Sequence, residues 1–264
     1  MNLPEQHQID HWIKTALDSI AQTYKDFESG FYENENISIQ SVHTGTALFY
    51  ASLARAKFLN RSPIKDVRKE FSKAAQYILK SFTMTYDKSD PDYQEKEPDW
   101  SCVMETHAIE GMNFALMAGD IDTSSKIASW FQDPGDGDLM DIEVNRYAHA
   151  LANVLKNRPE DAMKRLNDQM ADYKKKPAKK GYRLNYYTLS MALEGILEFD
   201  GKKFNQGLLE HLEFYQNDAQ GELKDTDEEF ICDDAVALGN LGIKHGLAVT
   251  VEYDTLPKGL LINS

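Results

Sequence analysis

Apolar residues recur at helical spacing through most of the chain. Between 144 and 155 they are Val144, Tyr147, Ala148, Leu151, Val154 and Leu155, the i, i+3, i+4, i+7, i+10, i+11 register of one helix face. Ile64, Val67, Phe71, Ala75, Ile78, Leu79 and Phe82 repeat it, as do Phe204, Leu208, Leu212 and Tyr215. Strict alternation is absent until after residue 246, where Val249, Val251 and Tyr253 alternate with Ala248, Thr250 and Glu252. The pattern predicts an all-α chain of about ten helices ending in a short strand-like extension whose partner the sequence does not identify.

The breaks between periodic stretches are of two kinds. Asn60-Arg-Ser-Pro63, Ala118-Gly-Asp120, Asn157-Arg-Pro159 and Asp200-Gly201 are tight, with proline suited to a first helical turn and glycine to a C-terminal cap. The others are long and charged, and the two kinds alternate. Leu116, Leu155 and Leu197, each just before a tight break, are spaced 39 and 42 residues apart. This spacing predicts an antiparallel array of helical hairpins on the length scale of tetratricopeptide or armadillo repeats, without the consensus residues of either. The whole of 1–264 is expected to form one helical domain, with a module at 226–264 closing one end. Thr226-Asp-Glu-Glu229 fits a capping box, so a helix is expected to start there, carry Ile231, Ala235, Leu238 and Leu241 on its buried face, and end at Lys244-His-Gly246.

Charge adds a second layer. Residues 87–99, 133–143 and 222–234 together hold eighteen acids and three lysines, which leaves 25 acids and 26 bases of the chain's 43 and 29 for everything else. The body is neutral, and the net charge of −14 lies in three connections. If consecutive helices run antiparallel, these loops and the Lys174–Lys180 run fall on one edge, a mostly acidic rim suited to a cationic partner. The candidate contacts are Asp133, Asp136, Asp138, Asp141 and Glu143, then Asp90, Asp92, Glu95, Glu97 and Asp99, with Tyr93, Trp100 and Trp130 as aromatic anchors. The first two windows rank above 222–234, whose Thr226, Asp227, Glu228 and Glu229 serve a helix start. Direct binding of nucleic acid or anionic lipid is disfavoured, because both require clustered Lys and Arg. No long apolar run or leader-like start is visible, so a cytoplasmic location is expected.

The C-terminal residues Ala235-Val-Ala-Leu238-Gly-Asn-Leu241-Gly-Ile-Lys-His-Gly246-Leu-Ala-Val249 and Tyr253-Asp-Thr-Leu256-Pro257-Lys-Gly-Leu260-Leu261 resemble the C-terminal signature of immunity protein family 49. Members of that family are mostly helical antitoxins of bacterial polymorphic toxin systems, encoded beside a toxin gene. The resemblance implies stoichiometric toxin binding by a non-enzyme, and the family has no catalytic motif to carry over. A second helical immunity family, whose members neutralise secreted DNases, is compatible with the body. The expected partner is therefore a toxin with a basic surface, such as a nuclease. The alternatives are a helical-repeat scaffold holding a peptide or protein partner, and a hydrolase with a cryptic metal site.

Chemistry elsewhere is sparse. His107 and Glu110 lie on neighbouring helical turns, but no second Glu-x-x-His copy completes a carboxylate-bridged metal set. In the 133–143 window the acids fall at positions 1, 4, 6, 9 and 11, off the EF-hand register. His149, His211 and His245 stand singly and read as packing or capping residues, and Cys102 and Cys232 as partly buried free thiols. No phosphate-binding glycine loop occurs. Neither a cofactor nor a metal is expected.

Overall fold

The computed structural model describes residues 3–94, 98–132 and 142–262. It divides into two compact units, one ending at Phe131 and one beginning at Gln132. The first contains α1 (Gln6–Ser29), the short α2 (Phe31–Asn34), α3 (Ile39–Leu59), α4 (Ile64–Tyr86), a 3-10 turn at Trp100–Val103, α5 (Glu105–Ala118) and α6 (Ile121–Trp130). The second contains α7 (Ile142–Leu155), α8 (Pro159–Lys175), α9 (Tyr182–Leu197), α10 (Gly201–Ala219), a 3-10 turn at Asp227–Phe230, α11 (Asp233–Lys244) and a last 3-10 turn at Lys258–Leu260. Among the described residues the fold is all-helical, without a strand, and no helix is long and apolar enough to cross a membrane.

Each helix packs on its neighbours in sequence: α1 on α3, α3 on α4 and α4 on α5 in the first unit, then α7 on α8, α8 on α9 and α9 on α10 in the second. The predicted stripes form the cores. Val67, Phe71, Ala75, Ile78 and Phe82 of α4 are fully buried, as are Tyr147, Ala148 and Leu151 of α7 and Phe204, Leu208 and Leu212 of α10.

The tight turns share one backbone device. Arg61, Asn157 and Phe199, each two residues after the leucine that ends its helix, take left-handed φ of 58°, 55° and 54°. The following amide then reaches back five residues, from Ser62 to the Lys57 carbonyl, Arg158 to Asn153 and Asp200 to Gly195, at 2.8–2.9 Å. These are Schellman closures, which satisfy carbonyls that a helix end would otherwise leave open. Gly119 does the same at φ 77°, with Asp120 reaching Ala115. The sequence assigned the C-cap role at the last break to Gly201, but Phe199 fills it. Gly201 instead opens α10, where Asp200 caps by accepting from the Lys202 and Lys203 amides at 2.9 and 3.0 Å.

Glycines set how closely α9 and α10 approach. A Cβ at Gly207 would lie 2.4 Å from the Ala192 backbone nitrogen, and one at Gly195 equally close to that of Phe204. Gly242 of α11 lies against the Phe204 ring in the same way.

Two expectations for the C-terminal module are corrected. The Thr226 side chain caps nothing. It donates instead to the Leu223 carbonyl at 2.6 Å, while Glu229 accepts from the Asp225 amide at 2.8 Å, and the turn that follows is 3-10. Tyr215 holds that turn by donating to the Glu228 and Ile231 carbonyls, the Cys232 amide bonds the Thr255 carbonyl, and α11 starts only at Asp233. These long-range bonds outweigh a local capping signal worth about 1 kcal/mol. The strand-like segment after 246 finds its partner in a side chain: the Asn205 amide donates to the Ala248 carbonyl at 2.9 Å and accepts from the Thr250 amide at 2.7 Å. Asn240 holds the Leu260 carbonyl and the Ile262 amide likewise, seating Leu260 and Leu261 in the core.

Gly207→Ala gains helix propensity of about 1 kcal/mol but forces backbone against backbone, so a net loss of at least about 2 kcal/mol is expected in chemical denaturation. Phe199→Gly relieves a left-handed non-glycine residue at an exposed site and is expected to raise stability by about 0.5–1 kcal/mol.

Candidate functional site

The first acidic connection is held by Lys80 of α4. Its ammonium pairs with Asp90 at 2.5 Å and Asp92 at 2.7 Å. Asp90 also accepts from the Thr83 hydroxyl at 2.6 Å and the Asp92 amide at 2.9 Å, and its side chain is only 8% exposed. Burial alone would raise its carboxyl pKa, but the bonds from Lys80, Thr83 and the Asp92 amide hold it below the ordinary value. Asp99 caps the 3-10 turn by accepting from the Ser101 amide and hydroxyl, and its own amide donates to the Gln40 side-chain Oε1 at 2.7 Å. Asp90 is thus enclosed and organises the connection, while Asp99 is half-buried and caps the turn that follows it. Asp92 remains exposed, Tyr93 is half-buried, and Trp100 is 59% exposed with its ring 6.0 Å from that of Tyr86.

The other candidates divide in the same way. Glu143 is tied to Arg183 at 2.6 Å and is turned largely inward, and Trp130 is half-buried at the end of α6. Asp133, Asp136, Asp138, Asp141, Glu95 and Glu97 lie outside the described residues. In the third window Asp227 is buried, whereas Glu222 and Asp225 are exposed. The lysine run begins inside α8, where Lys174 and Lys175 complement the negative helix end. Arg183 then straps the loop by donating to the Asp172 and Lys176 carbonyls at 3.1 Å.

Behind the first connection is a cavity of about 330 Å³ between α1, α3 and α4, lined by Tyr24, His43, Tyr50, Lys73, Gln76, Tyr77 and Lys80. Sequence reasoning missed it, since these residues come together across up to 56 positions. The Tyr24 hydroxyl lies 3.1 Å from that of Tyr50 and 3.0 Å from that of Tyr77. The Tyr50 and Tyr77 hydroxyls, followed by the Lys73 ammonium, lower the Tyr24 phenol pKa against the effect of burial; burial and the bond to Tyr24 raise those of Tyr50 and Tyr77. His43 stacks on Phe27 at 5.7 Å and lies 5.5 Å from the Tyr77 ring. Burial, helped by Lys80 and opposed by Asp92 and Asp90, pushes its imidazole down to about 4.

The second unit contains a buried dyad that was also missed. His211 Nε2 lies 3.4 Å from Cys232 Sγ, and Nδ1 lies 3.3 Å from the Thr188 hydroxyl. Burial depresses the imidazole to about 3 and raises the thiol well above its ordinary value, so both are neutral. A thiolate nucleophile needs the opposite shift, and the dyad is a packed hydrogen-bonded pair. Among the described residues no group of three or more His, Cys, Asp and Glu side chains is placed to hold a metal ion.

Compared with protein-family models, curated proteins and solved structures, the chain gives no match.

His43 supplies a pH test. Its folded pKa lies below the ordinary value of about 6.5, so the stability tied to its neutral form is present above pH 6.5 and lost as pH falls toward 4. Urea denaturation at pH 7 and pH 5 is expected to show this loss, and His43→Phe, which keeps a ring against Phe27, is expected to reduce it.

Proposed function

We propose that the protein is an immunity protein that binds a cognate toxin stoichiometrically, with its acidic connections docking on a basic toxin face. The observation that carries this reading is the confinement of all the net charge to three connections. The helical body is neutral, and Asp92, Glu222 and Asp225 keep carboxylates exposed in the described parts of two of those connections. A nuclease toxin is the best-matched class, because a phosphate-binding surface is cationic and an acidic protein can cover it. Trp100, exposed beside the first connection, has the size and rigidity of an interface anchor.

The reading assigns binding without catalysis, in the compartment where toxin and antitoxin are made together. The C-terminal signature supports it through its resemblance to immunity protein family 49.

The test is co-expression with the product of the adjacent toxin-like gene. Rescue of growth and a co-purifying 1:1 complex are expected. Charge reversal of Asp133, Asp136, Asp138 and Asp141 to lysine, and separately of Glu222 and Asp225, is expected to slow association at least tenfold in one set and to flatten the salt dependence. If both sets leave affinity and salt dependence unchanged, the acidic-docking reading is wrong.

A further inference from the structure

We infer that the cavity between α1, α3 and α4 is a binding site for a small organic anion, a planar ring carrying a carboxylate or phosphate group. The inference uses residues of the first unit alone and is independent of the toxin-binding reading. In a chain with 43 acids, this cavity is lined by two lysines and no carboxylate. Glu70, Asp90 and Asp92, which neutralise Lys73 and Lys80, are not among its lining residues.

The hydrogen bonds leave one tyrosine hydroxyl proton at this solvent-open site without a protein acceptor, on a set that includes the 47% exposed Tyr24. Three tyrosine hydroxyls carry three protons but share only two contacts, Tyr24 to Tyr50 and Tyr24 to Tyr77. Whichever way these bonds run, one hydroxyl proton is left to donate elsewhere. When Tyr24 accepts from both neighbours, that proton is its own, on a phenol already made more acidic. Lys73 adds an ammonium whose Glu70 bond uses one of its three protons, and which sits 4.7 Å over the Tyr50 ring. The Gln76 amide, on an exposed side chain, makes only a long 3.4 Å bond to Ser72. Donors of this kind converge on an acceptor with several lone pairs, as a carboxylate or phosphate presents.

The walls select for a ring. Tyr50 and Tyr77 stack at 5.6 Å with planes 19° apart, and His43 continues the aromatic surface beside Tyr77. A volume of about 330 Å³ suits one small ligand. The larger groove of about 610 Å³ between α10 and the C-terminal segment has neither paired cations nor aromatic walls.

The experiment titrates the full chain, by calorimetry and tyrosine fluorescence, with phenyl phosphate, benzoate and their neutral counterparts benzyl alcohol and benzamide. Saturable 1:1 binding of at least one anion in the millimolar range or tighter is expected, with the neutral compounds at least tenfold weaker; which anion binds identifies the headgroup. Tyr24→Phe, which keeps the ring, and Lys73→Met are each expected to weaken binding about tenfold, the size of a hydrogen bond to a charged group. Gln76→Glu, at an exposed position, places a carboxylate at the mouth and is expected to do the same even if the other two variants lose structure. The proposal fails if neither anion saturates, if the neutral compounds bind equally well, or if folded variants bind as the wild type does.

Discussion

A helix that stops leaves carbonyls without partners, and with eleven helices among the described residues this constraint recurs along the chain. The tight turns meet it with one left-handed residue and an amide reaching back five positions. The solution is short enough to fold each helix back on the previous one. It also asks little of sequence, since arginine, asparagine, phenylalanine and glycine all occupy the left-handed position. The long connections are the segments that carry the charge.

That division explains what the sequence could disclose. Helical periodicity reports burial directly, so the stripes on α4, α7 and α10 and the alternation of turn types were legible. The start of α11 was not, because Thr226 to Glu229 satisfies a local capping rule that long-range bonds through Tyr215 and Thr255 override. The strand-like segment was read correctly as alternating, but its partner is the Asn205 amide on a helix, which no strand-pairing rule anticipates.

The candidate site shows the same limit. Local charge was countable, but which acids are spent inside the fold was not. Asp90 and Asp92 look equivalent in sequence, yet only Asp90 is enclosed by Lys80, Thr83 and a backbone amide. The tyrosine cavity depends on side chains from three helices, the exposed Tyr24, the buried Tyr50 and the half-buried Tyr77, which no single helix brings together. A tyrosine recurring on facing stripes of α1, α3 and α4 is the signal that could have suggested it. The pairing of His211 with Cys232 likewise left no trace in a reading of each residue singly.

The amide clamps have a consequence for the order of assembly. Helical hairpins joined by tight turns bring together residues close in sequence, and such local contacts form early and fast. The clamp from Asn205 to Thr250 spans 45 positions, and its donor and acceptor atoms are in register only once α10 is a helix and α11 has turned the chain back. In sequence separation the C-terminal segment is thus a long-range closure, whereas the hairpins are local ones. It acts as a latch, seating its own Leu256, Leu260 and Leu261 in the core.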